Sequence, residues 1–201
     1  MPPDRIAEEP IFFASAFEAL FERTLHGRWT PELKERLRAA GVDVDRRLKV
    51  AYPAKVWEDV LGVIARELHP EVEACEAWFR VGLDFYEGFN ATMIGKAAVA
   101  LAKVVGLDRT FQRFTSNLRN INNAAEGIVE LREKGRMRLR LRFLEKFRGK
   151  IHPAPQQVPH YLRGVLLGIL RGLGKPDADV ALVETNPKGR DSLYELTWTE
   201  R

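Results

Sequence analysis

The chain has 201 residues, 45% of them hydrophobic and 30% charged, which is enough apolar material for one core of ordinary size and enough charge for a solvated surface. Lys and Arg total 32 against 28 Asp and Glu, so the excess of +4 does not by itself define a polycationic binder, and the placement of charge decides. The lone cysteine, Cys75, excludes an intrachain disulfide framework, and the most apolar stretches, near 97–105 and 165–170, fall short of the roughly 20 apolar residues that a membrane helix needs.

Residues 1–10 read as a Pro-bearing lead-in without the basic start and long apolar run of a secretory signal, so a cytoplasmic, reducing setting is expected. Ile11-Phe12-Phe13 reads as a short extended piece, after which Phe17, Leu20 and Phe21 follow helical spacing. Thr30-Pro31-Glu32 starts the next helix, with Thr30 able to cap and Pro31 suited to the first helical position, and Gly41 ends it. Tyr52-Pro53 opens a helix whose stripe is Val56, Trp57, Val60, Ile64 and Leu68, stopped by His69-Pro70. A helix over about 71–89 carries Cys75, Trp78, Phe79, Gly82, Phe85, Tyr86 and Phe89 on one face. Residues 92–105 are apolar nearly all round, the pattern of a central helix. A further helix begins near Asp108 and is expected to run, bent at Asn122-Asn123, to Lys134.

The period changes at Gly135. Met137, Leu139, Leu141 and Phe143 alternate with Arg136, Arg138, Arg140 and Arg142, the signature of a half-buried strand. A Pro-rich connector over 153–159 leads to a last helix at about 160–173, and two strands, 180–185 and 192–199, flank the turn-forming Asn186-Pro187-Lys188-Gly189. The expected architecture is a single α+β domain over 1–201. About five helices fill 11–134, followed by strand, helix, strand, strand in a small, mostly antiparallel sheet over 135–200.

Three features carry candidate sites. Arg136, Arg138, Arg140 and Arg142 stand in one row on a strand face. Either carboxylates such as Glu184 and Glu195 compensate them, or they form an anion, nucleotide or nucleic-acid platform; no aromatic residue interleaves with them as base stacking requires. The face Cys75, Trp78, Phe85, Tyr86 and Phe89 is either plain core or the lining of a cavity for a small apolar ligand. Asn117, Asn120, Asn122 and Asn123 mark a helix break or a polar pocket. Gly164, Gly168 and Gly172, spaced by four, predict close packing of the last helix. His26, His69, His152 and His160 form no metal-type pair, and no phosphate loop, nucleophile elbow or dinucleotide fingerprint occurs, so no catalytic residue and no metal ligand is expected.

Residues 33–69, with "AGVDVDRRLKVAYPAKVWEDVLGVIAREL" inside them, resemble a myxobacterial paralogous family of roughly 200-residue proteins of unknown function. The likeness continues through "GFNATMIGKAAVALAKVVG", the Asn-rich segment and the closing "YELTW". The order of elements is similar, more distantly, to the superfamily of heme-nitric oxide/oxygen binding domains, vinyl-reductase-like sensors and TRAPP subunits, and "SNLRNINNAAEG" (116–127) resembles the segment leading to the proximal-histidine helix of its heme-binding branch. No His lies between His69 and His152 and the Tyr-x-Ser-x-Arg motif is missing, so haem is disfavoured and no other cofactor is expected. The resemblance implies a non-enzymatic sensory or interaction module that binds a small molecule or a protein partner, with a homodimer through the helical half as one form.

Overall fold

Two aromatic-rich segments, Ile11–Phe13 (β1) and Ala51–Pro53 (β2), pair antiparallel, with Phe12 opposite Tyr52. In the computed structural model, which describes residues 9–25, 27–91, 93–147, 153–188 and 190–199, each of these strands runs directly into a helix. Ala14–Thr24 (α1) follows β1, and Ala54–Leu68 (α3) follows β2. Tyr52-Pro53 therefore closes a short strand rather than starting the helix. Extended backbone at Pro53 (φ −54°, ψ 147°) delays the first turn to Ala54. Between them Pro31–Ala39 (α2) begins as its sequence dictates: the Thr30 hydroxyl accepts from the Leu33 amide at 3.1 Å, and Gly41 follows the helix at φ +102°.

Ala74–Ala91 (α4), Met93–Val105 (α5) and Leu107–Ile121 (α6) complete the helical half. Residues 125–133, expected to continue α6, instead form a strand, Ala125–Glu133 (β3), paired antiparallel with Arg136–Phe143 (β4). Asn122 makes the break. Its amide Nδ2 donates to the Leu118 carbonyl at 2.9 Å, and its Oδ1 accepts from the amides of Ala124 at 2.9 Å and Ala125 at 2.5 Å, so one buried side chain ends the helix and aims the strand. Asn123 ties this corner to β1, accepting from the Ile11 amide at 2.9 Å and donating to the Glu9 carbonyl at 3.0 Å. The asparagines at 122 and 123 thus build a corner; the side chain of Asn117 lies outside the described residues.

A short 3-10 turn, Glu145–Phe147, precedes Val158–Gly172 (α7), and Asp179–Asn186 (β5) and Asp191–Thr197 (β6) close the chain. The sheet order is β3-β4-β6-β5, antiparallel throughout. The class is α+β, as expected, with one more strand in the main sheet, β3, and one more in the small pair, β2, than expected. Met137, Leu139 and Leu141 on β4, with Tyr194 and Leu196 on β6, face the core. The Tyr194 hydroxyl, fully buried, donates to the Pro159 carbonyl at 3.0 Å and so pins the start of α7 to the sheet. Aromatic rings join the halves: Trp57 stacks on Phe12 (4.9 Å between centroids) and meets Phe17 (5.2 Å) and Tyr161 (6.1 Å) edge-on.

The helix expected to be most central is not. On α5, Met93, Leu101 and Val104 are 88%, 50% and 84% exposed, and Ala97 and Ala100 are also open to solvent. The layer against the sheet is already occupied, by α6 on β3 and α7 on β5, and α5 touches mainly its chain neighbours α4 and α6.

Candidate functional site

Glycine spacing positions α4 and α7. A Cβ placed on Gly164 would lie 2.0 Å from the Phe79 carbonyl oxygen, and one on Gly82 would lie 2.0 Å from that of Tyr161. The two helices therefore cross backbone to backbone, as the four-residue glycine spacing predicts for Gly164 and Gly168. This crossing consumes part of the aromatic face proposed as a cavity. The Phe85 ring sits 6.3 Å from that of Tyr161, and the Tyr86 Cβ is 2.7 Å from where a Cβ of Gly168 would be. Burial raises the Tyr86 hydroxyl above its ordinary pKa. Trp78 is buried against Gly62, Cys75 is a half-buried free thiol near the start of α4, and the side chain of Phe89 lies outside the described residues. The structure thus places Phe85 and Tyr86 in the α4–α7 contact, and places Trp78 apart from them on the wall of a cleft that faces α3.

The arginine row is built by β-register. Pairing of β4 with β3 and β6 sets Arg140 opposite Ile128 and Leu193, and Arg142 opposite Glu126 and Asp191. The side chains find carboxylates on the flanking strands. Arg136 and Arg138 both donate to Glu195 Oε2 (Arg136 Nε at 3.0 Å, Arg138 Nε at 2.8 Å), and Arg142 donates to Glu126 at 2.8 Å. Arg140 bonds Glu130, Asp191 at 2.9 Å and Glu184 at 3.2 Å. The row is a ladder of interleaved charges, each guanidinium already holding an anion. Hydrogen bonds from Arg138 and then Arg136 keep the Glu195 carboxyl below the usual carboxylate range, and bonds to Glu130 and Asp191 raise the Arg140 guanidinium.

A sign follows for pH. The folded Glu195 carboxyl titrates below the unfolded one, so its pairing is fully present above the ordinary carboxylate range and is lost as pH falls through the lowered value. Arg138→Met is expected to return the Glu195 midpoint toward the ordinary range in a carboxyl-carbon NMR titration, with Arg136 left as the remaining donor. An unchanged midpoint would mean that Arg138 does not bind it in solution.

Sequence reasoning missed one buried ion pair. Glu58 on α3 and Arg190 in the β5–β6 turn are each 6% exposed and bond through Nη1 and Oε1, with a second contact, Nη2 to Oε2, at 3.5 Å. The Arg190 guanidinium also lies over the Phe143 ring, 5.0 Å from its centroid. The signal was faint but present: Glu58 precedes Leu61 by three and Ala65 by seven, which puts a carboxylate on a buried helix face. His69, at the end of α3, shares a 2.8 Å hydrogen bond with Asp84. Among the described residues no group of three or more His, Cys, Asp or Glu is placed to hold a metal ion, and no helix is long and apolar enough to cross a membrane.

The seven helices among the described residues, two of them packed on the four-stranded antiparallel sheet, give the chain the fold of the H-NOX domains. A Tt H-NOX double mutant superimposes with a TM-score of 0.62 at 12% identity, covering 94% of this chain and 95% of that one. An oxygen-binding H-NOX domain related to soluble guanylate cyclases gives 0.55 at 14% identity over 92% and 94%. A mutant Fe(II) unliganded H-NOX protein from K. algicida gives 0.57 at 8% identity over 92% and 95%. At these identities the likeness establishes the fold. The chain belongs to the family described as Protein of unknown function (DUF2378), whose model matches residues 11–199. No curated protein sequence matches it significantly.

Proposed function

We propose that this chain is a non-enzymatic interaction module of the sensory type, using an H-NOX-like fold without haem, and that α5 is its contact face. The exposed stripe on α5 carries this reading. Met93, Ala97, Ala100 and Val104 recur at spacings of four, three and four, with Leu101 beside them, so a single helix face presents apolar side chains to water. Leaving side chains such as Met, Leu and Val exposed forgoes about 1.5–3 kcal/mol each, and a contiguous apolar face of this kind marks an interaction surface. The helix carries Lys96 and Lys103 and no acidic residue, so its apolar stripe has a basic border and no acid–base pattern of its own. The occupant we assign is a second copy of the chain, α5 against α5, since an isologous contact needs only a self-complementary apolar face.

The residues do not fit haem. Neither α5 nor α6 contains a His, Cys or Tyr to bind iron axially, and no plate-like group fits between α4 and α7 where their backbones meet. The arginine ladder favours no second reading, because its donors hold Glu126, Glu130, Glu184, Asp191 and Glu195.

Light scattering on purified protein, with native mass spectrometry of the same sample, tests the proposal. The expected result is a dimer that Val104→Glu converts to a monomer with unchanged far-UV circular dichroism. A monomeric wild type at all accessible concentrations overturns the assignment of the second copy. Extra mass on that monomer would replace it with a small apolar ligand.

A further inference from the structure

An open cleft of about 660 Å³ is walled by α2, α3, the start of α4 and the segment before α7. Its size is that of a small-molecule site. Small residues make its floor, Gly62 and Ala65 on α3 and Ala77 on α4, with Ala39 at the exposed end of α2 on its rim. Trp78 completes it, with its indole edge 3.6 Å from where a Cβ of Gly62 would stand. A concave apolar floor backed by an indole accepts a hydrocarbon or an aromatic ring.

Five titratable side chains line the cleft, and four are engaged. Arg36 pairs with Glu67, Glu58 with Arg190, Asp59 with Lys55 at 2.5 Å, and His69 with Asp84 at 2.8 Å. Arg66 is the fifth; it is exposed and has no ion-pair or hydrogen-bond partner among the described residues. One uncommitted guanidinium above an apolar floor defines both halves of a ligand. We propose that this cleft binds a small amphipathic monocarboxylate, its carboxylate on Arg66 and its apolar body on Trp78 and the alanine–glycine floor. The planar donor fork of Arg matches a carboxylate, and a single free positive charge matches a monoanion better than a phosphate dianion. The site is separate from α5, and this inference does not depend on the reading given to that helix.

Isothermal titration of the full chain with 4-phenylbutyrate, octanoate, their neutral amides and inorganic phosphate tests it. Saturable binding of the carboxylates is expected, with the amides and phosphate each at least about tenfold weaker, the scale of a hydrogen bond to a charged group. Arg66→Gln should weaken the carboxylates by about the same factor. Ala39→Trp, a change at an exposed position that fills the cleft, should abolish binding while leaving the fold intact. Absence of carboxylate binding overturns the proposal. So does equal binding of the amides, phosphate binding as tightly as the carboxylates, or affinity that survives both variants in folded protein. The α5 variant Val104→Glu should bind the carboxylates as the wild type does, which separates this site from the dimer contact.

Discussion

Gly164→Ala is expected to destabilise the domain by about 3 kcal/mol or more, at or beyond the upper end of what overpacking usually costs. The reason lies in what the added methyl would meet. At Gly164 it would lie 2.0 Å from the Phe79 carbonyl oxygen and 2.8 Å from the Leu83 amide nitrogen, both backbone atoms of α4. A flexible side chain could swing away; a helix backbone cannot, so the two helices must separate along their crossing. Gly82→Ala meets the Tyr161 carbonyl at the same 2.0 Å and should behave alike, and because both changes open one contact their effects should fall short of adding. Gly62→Ala is the control. Its methyl would lie 3.6 Å from the Trp78 ring, an ordinary contact, so the better helix propensity of alanine should leave stability unchanged or raised by up to about 1 kcal/mol. Urea unfolding followed by circular dichroism ranks the three. With total stability on the order of 5–15 kcal/mol for a domain, the Gly164 variant should lose a large part of its unfolding free energy. A Gly164→Ala midpoint equal to that of wild type would show that α4 and α7 do not approach this closely in solution.

That crossing was legible in the sequence because four-residue glycine spacing on a helix has few explanations. The neighbouring strand was not. Ile128, Val129 and Leu131 can be placed on a helix face, and the register shift between Val129 and Leu131 breaks the alternation that would have marked β3. Its state is decided by pairing with β4, which a local pattern does not contain. The same omission hid half of the arginine ladder. Glu184 and Glu195 could be named as counter-charges, but Glu126 and Glu130 lie on β3, and while that segment reads as helix they are not beside Arg142 and Arg140. On α5 the failure was of another kind. Apolar residues all round a helix predict burial only if the fold has an unfilled layer to receive it, and α6 and α7 already cover the sheet. The exposure of Met93 and Val104, invisible in composition, takes that helix out of the core and is the observation on which its proposed role as a contact face rests. The cleft is half visible in the sequence: helical spacing groups Trp78 with Phe85 and Tyr86, which α7 covers instead.

Glu58→Ala should cost about 3–5 kcal/mol, the usual consequence of leaving one member of a buried ion pair uncompensated. Glu58 and Arg190 are 132 residues apart, and each is 6% exposed, so water does little to screen the charge left behind. Arg190 is held for this contact by its surroundings. Its φ of +48° turns the backbone in the left-handed region at the tip of the β5–β6 hairpin. Its carbonyl accepts from the Phe143 amide at 3.2 Å, and its guanidinium rests on the Phe143 ring. The pair is therefore a direct charge link between α3 in the helical half and the hairpin that ends the sheet. Two measurements separate it from a simple packing contact. In a double-mutant cycle, Glu58→Leu with Arg190→Met should cost less than the two single changes summed, with a coupling of about 2 kcal/mol or more, because the double variant leaves no unpaired charge. In hydrogen exchange, Glu58→Leu should speed exchange at the hairpin tip around 186–191 ahead of the α4–α7 crossing, since the tip loses its anchor while the glycine contact stays intact. A Glu58→Ala variant within about 1 kcal/mol of wild type would place the pair among solvated surface bridges.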